Sequence, residues 1–255
     1  MADFNSTDMG GNQRDFPATE WTQLQGIKRL SEEDRRVVID RLLARYWKPV
    51  YCFIRQKGRD NETAKDLTQG FFFDVVMRRD LFSQADKDQG RFRTFLLAAL
   101  NCYLTDHWRK AHAQKRSPSQ PLQAMTDEVA CAIPSQLARS SPDIVFQYQW
   151  GIELLQQAIQ VTKQQYLDGA RQAHWQVFQE RTLGPTLAGQ SPPSYRQICE
   201  HLDQVTEQQA QSMEFRVRQR FGKNLREILQ RQMADGAEVE TEIDELLDIF
   251  SKMGT

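Results

Sequence analysis

Hydrophobic residues recur at helical spacing along most of the chain. Within residues 90–116, one stripe of an α-helix collects five of them, a pattern typical of a helix that buries one side: Phe92, Phe95, Leu96, Ala99 and Tyr103. Comparable spacing predicts helices over residues 61–79, 144–166, 170–181, 195–202 and 207–232, with shorter ones between 31 and 56. The chain is therefore expected to be all-α.

Helix boundaries are indicated by capping residues, proline and glycine. Ser31, Ser194 and Thr206 each precede a helical pattern and are predicted N-caps. Pro49 is expected in the first turn of a separate helix, which Gly58 would end. The pattern thus predicts a break near residue 49.

A change of composition divides the chain into two parts. Residues 117–143 are rich in Ser, Gln and Pro, and their four prolines interrupt regular structure. We expect this segment to be a flexible linker between two small helical domains. The predicted organisation is a disordered N-terminus at 1–18, domains at 19–116 and 144–233, and an acidic C-terminal helix at 234–255.

The charge is balanced overall but unevenly distributed. The 33 basic and 34 acidic residues leave a net charge of −1, which gives no general attraction to nucleic acid. Basic residues concentrate on two predicted helices, whereas Asp235 to Asp248 hold seven carboxylates and neither Lys nor Arg. A chain so arranged is expected to bind free DNA poorly and to need a partner that presents its basic faces.

The cysteines and the hydropathy pattern bear on location. Cys52, Cys102, Cys131 and Cys199 lie far apart and form no C-x-x-C pair, so we expect reduced thiols rather than a disulfide framework or a zinc site. No apolar run is long enough to span a bilayer, and the first twenty residues lack the apolar core of a signal peptide. The expected location is cytoplasmic, with no membrane partner.

The predicted helix at 90–116 has a polar and cationic side opposite its apolar stripe. That side carries Thr94, Asn101, Thr105, Trp108, Arg109 and His112, and Lys110, Lys115 and Arg116 continue the positive charge. Small polar groups, one indole and several cations suit a helix that follows a phosphate backbone and stacks on unpaired bases. An ordinary amphipathic helix with a charged end is the alternative interpretation.

Residues 195–232 have the pattern of a helix-turn-helix unit. Two predicted helices are joined by a short turn, and the second is basic. Its apolar residues Ala210, Met213, Val217, Phe221 and Ile228 share one side and are expected to face the core. On the opposite side, basic residues could hold DNA phosphates, and Gln208, Gln209 and Ser212 near the N-terminus could reach base edges.

Three segments, in order, resemble the extracytoplasmic-function sigma factors, the small promoter-recognition subunits of bacterial RNA polymerase. In chain order they are residues 46–73, residues 90–116 with GRFRTFLLAAL, a DHWRK ending and an AQKR tail, and residues 195–221. Together, the segments that match the family in the same order run from about residue 21 to residue 233. The resemblance implies a region 2-like bundle and a region 4-like helix-turn-helix domain, with core RNA polymerase, promoter DNA and an anti-sigma protein as partners.

The resemblance also implies roles for individual residues. The segment Asp-Leu-x-Gln-x-Phe-Phe would dock on a coiled coil of polymerase, which makes candidate contacts of Asp66, Leu67, Gln69, Phe72 and Phe73. The loop at 81–89 would capture a flipped base. Combined with the two basic faces, the candidate DNA contacts are Arg93, Asn101, Thr105, Trp108, Arg109, Lys110, Thr206, Gln208, Gln209, Ser212, Arg216, Arg218, Arg220 and Lys223.

Two features depart from the sigma pattern. The turn at 202–206 is one residue longer than the usual Leu-Gly-x-Thr and contains no glycine, and Gln209 replaces a residue that is usually small. Either the turn differs in conformation or promoter reading by this helix has changed.

Two other functions compete with a sigma factor. A sigma-like regulator would bind polymerase or another partner without reading promoters. A helical metal-dependent hydrolase is less well matched. Its metal site would need a His before the Asp, whereas Asp106 precedes His107 in this chain. His107 and His112 are five residues apart, so they do not share a helix face as a pair of zinc ligands would. No phosphate-binding loop or nucleophile motif is present in the sequence, and we expect no catalytic residue, metal or cofactor.

Overall fold

The computed structural model describes residues 31–74, 92–114, 140–169, 171–202, 205–232 and 239–251. These residues are almost all helical and include no β-strand, so the all-α class is confirmed for the described part. Their α-helices are α1 (Glu32–Gln56), α2 (Asn61–Phe71), α3 (Phe92–Gln114), α4 (Pro142–Asp168), α5 (Gln172–Phe178), α6 (Gly184–Ala188), α7 (Tyr195–Cys199), α8 (Glu207–Gln232) and α9 (Val239–Ser251).

The chain divides into two compact units. The first comprises Met1–Gly151 with Gln230–Thr255, and the second is Ile152–Leu229. The chain therefore passes from the first unit to the second within α4, rather than in the proline-rich segment. The boundary differs from the expected one because residues early in α4 pack in the first unit: Phe146 is buried and meets the ring of Phe53 edge-on at 6.4 Å.

The core of the first unit is built from aromatic and aliphatic side chains of α1 to α4. Tyr46 meets Phe92 edge-on at 5.5 Å, and Phe71 meets Tyr103 at 5.6 Å. The α2 and α3 helices approach closely at Gly70, where an added Cβ would lie 2.5 Å from the hydroxyl of Tyr103. Burial of these rings removes a large apolar area from water and fixes α3 against α1 and α2.

Helix α1 is continuous through Pro49, so the predicted break at this position is wrong. Proline removes one backbone donor and usually interrupts a helix interior. Here Tyr46 precedes Pro49, and Val50 to Ile54 follow it, all buried in the core. Tertiary packing on both sides of the proline therefore outweighs the lost hydrogen bond.

The predicted ends of α1 are confirmed. The Ser31 hydroxyl accepts a hydrogen bond from the Asp34 amide at 3.1 Å, which caps the first turn. Lys57 follows the last helical residue, and Gly58 adopts a positive φ of 81°, which reverses the chain before Asp60 caps α2. The predicted helix at 61–79 is α-helical to Phe71 and continues as a π-helical turn to Asp74.

Hydrophobic clusters and buried polar contacts hold the second unit together. Tyr166, Trp175, Phe178 and Val217 form the first cluster, and Val177, Ile198 and Ala210 form the second. The side-chain amide of Asn224 donates to the hydroxyl of Thr162 at 2.9 Å and to Gln165 at 3.1 Å, which joins α8 to α4. Pairing this buried amide avoids the cost of an unsatisfied polar group.

The segment between the predicted helices at 170–181 and 195–202 begins as a helix. A π-helical turn, Gln179–Leu183, continues directly into α6, so the chain stays helical to Ala188. Gly189 then adopts a φ of 61° and ends the helix. Pro185 lies in the first turn of α6, directly after the π-helical turn, and does not end the helix.

Cysteine chemistry differs from expectation at one position. Cys102 and Cys199 are free thiols, but Cys52 is disulfide-bonded, so the expectation of reduced cysteines is wrong for Cys52. The bonded state of Cys52 therefore does not support the reducing compartment that was inferred from the cysteines.

In the described part of the chain, no helix combines the length and the apolar character needed to cross a bilayer.

Several sequence expectations concern residues outside the described ranges. They are the disordered N-terminus at 1–18, the base-capturing loop at 81–89, nearly all of the linker at 117–143, and the basic residues Lys115 and Arg116.

Candidate nucleic-acid interface

The polar side of α3 is exposed as the sequence predicts. Thr94, Thr105, Arg109 and Lys110 are exposed, and Asn101 is half-buried. Trp108 is the most unusual member, because 53% of this large apolar residue is accessible to solvent. We call the exposed set Asn101, Thr105, Trp108, Arg109 and Lys110 the α3 face.

Trp108 is flanked by a cation that the sequence did not reveal. The guanidinium of Arg59 lies 4.8 Å from the centroid of the indole ring, in cation–π geometry. Arg59 belongs to the turn between α1 and α2, where its carbonyl accepts a hydrogen bond from Arg55 at 3.0 Å. The contact joins residues 49 positions apart, and no local pattern signals it.

The two small polar residues of the α3 face bond to their own helix. The Asn101 side-chain amide donates to the Leu97 carbonyl at 3.2 Å, and the Thr105 hydroxyl donates to the Asn101 carbonyl at 2.8 Å. These bonds hold both side chains close to the helix surface. The Asn101 side-chain oxygen and the lone pairs of the Thr105 hydroxyl can still accept hydrogen bonds.

Arg93 does not join the α3 face. It is only 7% exposed, it forms an ion pair with Glu242 of α9, and its guanidinium lies 4.4 Å from the Trp150 ring centroid. The predicted DNA contact at Arg93 is therefore contradicted by its burial in this structure. A basic residue one position from the exposed Thr94 turns inward because an acidic partner from a distant segment neutralises it.

The predicted polymerase-docking segment is partly exposed and partly core. Asp66, Gln69 and Phe73 are exposed, and 48% of Phe73 is accessible. Leu67 and Phe72 are buried, with Phe72 only 3% exposed, so these two residues cannot contact a partner in this arrangement. The difference arises because Leu67 and Phe72 lie on the inner side of the helix, toward α1 and α3.

Trp47 extends this docking segment and was not among the expected contacts. Its ring stacks on Phe72 at 6.0 Å, and 37% of the residue remains exposed. We call Trp47, Asp66, Gln69 and Phe73 the docking strip. A surface that combines two exposed aromatic rings with a carboxylate and an amide is typical of a protein-binding surface.

The helix-turn-helix unit has capped helices on both sides of its turn. Ser194 and Gln197 form a reciprocal capping box at the start of α7. Thr206 and Gln209 form the same arrangement at the start of α8: the Thr206 amide donates to the Gln209 side-chain oxygen at 2.8 Å, and the Gln209 amide donates to the Thr206 hydroxyl at 3.3 Å. Gln209 therefore caps α8, and its side-chain oxygen is not free to read a base.

The longer turn before α8 remains packed. Leu202 and Val205 contact the cluster around Ile198 and Ala210, and the Leu202 amide donates to the Cys199 carbonyl at 3.2 Å. Leu202 and Val205, on either side of the turn, therefore both pack on the core, and Asp203 and Gln204 lie outside the described residues.

The outer side of α8 is polar and basic. All remaining candidate DNA contacts on this helix are exposed: Thr206, Gln208, Ser212, Arg216, Arg218, Arg220 and Lys223. Phe215 is exposed among them. The predicted inner side also forms, with Ala210, Val217 and Ile228 buried and Met213 and Phe221 half-buried.

A buried carboxylate orients α8 against the preceding segments. Glu214 accepts hydrogen bonds from the Thr182 hydroxyl at 2.6 Å and from the Tyr195 hydroxyl. The pKa of Tyr195 is raised, first by burial and then by its hydrogen bond to Glu214, because both favour the neutral phenol. No sequence pattern predicts this role for Glu214, because the residue lies between two apolar residues on a helix whose charges are mostly basic.

Among the described residues, no group of three or more His, Cys, Asp and Glu side chains could hold a metal ion.

Comparisons of the chain with protein-family models, with curated proteins and with solved structures find no significant match. The function is therefore inferred from the residues and their geometry.

Proposed function

We propose that this chain is a sigma factor that directs bacterial RNA polymerase to promoters and assists promoter melting. The first unit would bind core polymerase through the docking strip and hold the upstream edge of the bubble on the α3 face. The helix-turn-helix in the second unit would anchor the duplex further upstream. No covalent chemistry is assigned to the chain.

The exposed Trp108 is the observation that supports this proposal most strongly. Trp108 leaves 53% of its surface accessible to solvent, so its ring can be approached by a stacking partner. The guanidinium of Arg59 lies against its ring, and the exposed cations Arg109 and Lys110 follow it in the chain. An aromatic ring among cations is the combination that binds unpaired bases and their phosphates.

The α8 surface supports a role in duplex binding. Arg216, Arg218 and Arg220 are exposed, which suits contacts to phosphates on both sides of a groove. Gln208 is exposed near the N-terminal end, where recognition helices usually meet base edges, and the Ser212 hydroxyl, which donates to the Gln208 carbonyl at 3.1 Å, can still accept a hydrogen bond. The resemblance of residues 195–221 to the second DNA-binding unit of sigma factors agrees with this assignment.

The docking strip supports polymerase binding as a separate function. Asp66, Gln69 and Phe73 are three and four residues apart, which places them on one side of α2 and its π-helical continuation. The exposed aromatic rings would supply the buried centre of an interface, and the carboxylate would pair with a basic residue on polymerase. Polymerase and promoter DNA would place the chain in the cytoplasm, where an anti-sigma protein could compete for the same strip.

A sigma-like regulator remains the second candidate because of Gln209. This side chain is engaged in the α8 cap, so one of the three glutamine and serine residues expected to reach bases is not available. A protein that binds polymerase without reading a promoter would tolerate this loss. It would use the docking strip and have no need for base contacts from α8.

Two measurements with purified chain and bacterial core polymerase test the proposal. We expect the chain to co-purify with core enzyme, and the holoenzyme to start transcription at a set of genomic sites that share an upstream sequence. Core binding without new transcription starts would favour the regulator. Absence of core binding would contradict both candidates.

A further inference from the structure

The C-terminal helix α9 places a fully buried carboxylate in the first unit. Glu242 has no solvent exposure and pairs with Arg93, a residue of the first turn of α3. Glu245 adds a second carboxylate, 3.4 Å from the same guanidinium. The Trp150 ring from α4 lies against the guanidinium at 4.4 Å, so one cation joins three helices.

Apolar contacts continue this interface along α9. Phe250 meets Tyr148 edge-on at 5.4 Å. At Gly151, an added Cβ would lie 2.9 Å from side-chain atoms of both Leu246 and Phe250, so only glycine admits the helix this closely. The α9 interface therefore combines a buried ion pair with a close apolar fit on α4.

The acidic C-terminal helix thus has an inner side that differs from its outer side. The sequence predicts an acidic C-terminal helix at 234–255 and assigns it no role. The structure instead buries Glu242 and Leu246, whereas Glu240, Asp244 and Asp248 are exposed. Burial of one carboxylate among several exposed ones is explained by the cation that it meets.

The α9 interface does not cover the α3 face. Arg93 lies at the start of α3, and Trp108 lies fifteen residues later, about 22 Å along the helix axis. Trp108 remains half-exposed while α9 is in place. An effect of α9 on the α3 face must therefore act through the position of α3 itself.

We propose that α9 is a positioning element for α3: the Glu242–Arg93 ion pair fixes the N-terminal end of α3, so that the α3 face is presented correctly only while α9 is docked. Removing one partner of a buried pair leaves an uncompensated charge, which favours undocking. Arg93 then acts through the position of α3 and makes no contact with nucleic acid. Only this functional consequence rests on the proposed function.

Hydrogen exchange of the full-length chain tests the structural part. In Glu242→Ala, we expect amide exchange in residues 92–100 and 239–251 to accelerate by at least about tenfold, because both helices lose a shared contact. Residues 207–229 of the second unit should exchange as in the wild type. Asp244→Ala is the matched control, since it removes an exposed carboxylate from the outer side of the same helix.

A second variant separates positioning from direct contact. Arg93→Met together with Glu242→Leu replaces the ion pair with apolar groups of similar size, which commonly preserves packing. We expect this double variant to restore slow exchange in both helices. Accelerated exchange confined to 239–251 in Glu242→Ala, with residues 92–100 unchanged, would overturn the proposal.

Binding of polymerase complexes to DNA that carries a preformed bubble tests the functional part. Glu242→Ala should bind the bubble more weakly than wild type, and the double apolar variant should bind as well as wild type. Loss of binding in the double variant, despite slow exchange, would show that Arg93 contacts DNA directly and would overturn the positioning role. If wild-type complexes do not bind the bubble, the proposed function fails, and hydrogen exchange still decides the role of α9.

Discussion

Individual polar residues in this protein often serve the fold where their sequence context indicates a surface contact. Arg93 is paired with Glu242, and Gln209 caps α8. In both cases a polar group that would be costly to bury or leave unpaired meets a partner, an opposite charge for Arg93 and a backbone amide for Gln209. Polar residues that are exposed on the surface are therefore better candidates for function than those that complete the fold.

Trp108 provides the first prediction at this scale. Trp108→Ala should weaken bubble binding by about 1–3 kcal/mol, the value of one base–aromatic stack, and leave polymerase binding unchanged. Binding of the same holoenzyme to fully paired and to bubble-containing promoter DNA measures the difference. Leu187→Ala, which shortens an exposed apolar side chain of the second unit, is the control. Equal losses on both DNAs would identify Trp108 as structural.

Tyr195 provides a prediction about pH. Its pKa is raised above the ordinary tyrosine value of about 10 by burial and by the hydrogen bond to Glu214. The folded state therefore holds the phenol proton more tightly than the unfolded state, so this contribution to stability is complete below pH 10 and is lost as pH rises through the raised pKa. Urea unfolding of wild type and Tyr195→Phe at increasing pH measures it. The stability advantage of wild type should shrink above about pH 10.

At the scale of elements, helix boundaries follow local chemistry except where packing opposes it. Caps at Ser31, Ser194 and Thr206 form as their sequence context predicts. Pro49 fails to break α1 because buried residues on both sides hold the helix. The segment from Gln172 to Ala188 stays helical through a π-helical turn that no local periodicity indicates.

The α8 cap makes opposite predictions for two neighbouring glutamines. Gln209→Ala should lower stability by about 0.5–1.5 kcal/mol through loss of the hydrogen bond from the Thr206 amide, with little change in sequence preference. Gln208→Ala should leave stability unchanged and reduce discrimination between matched and altered promoters by about 1–3 kcal/mol. Thermal unfolding and competition binding measure the two effects. A reduced sequence preference in Gln209→Ala alone would contradict the assignment.

At the scale of the whole molecule, composition does not mark the division into units. The proline-rich segment predicts a boundary, but the first unit also takes up the beginning of α4 and, from the other end of the chain, α9. Each unit presents its own exposed candidate surface: the docking strip and the α3 face on the first, and the outer side of α8 on the second.

Separate surfaces predict separable losses of function. Asp66→Ala together with Phe73→Ala should abolish association with core polymerase without changing helicity, since both residues are exposed and neither supports the core. Co-purification and circular dichroism measure the two properties. Val37→Ala, at another exposed apolar position of the first unit, is the control. Unaltered co-purification of the double variant would remove the docking strip as the polymerase contact.

Local sequence alone determined the all-α class, the caps, and the sides of α3 and α8 that face solvent, because spacing and capping depend on residues within a turn or two of each other. Tertiary structure decided which polar residues are available for binding. Glu242 reaches Arg93 across 149 residues, and Arg59 reaches Trp108 across 49. Such pairs depend on how helices pack, and packing brings together charges that no periodic pattern along the chain can relate.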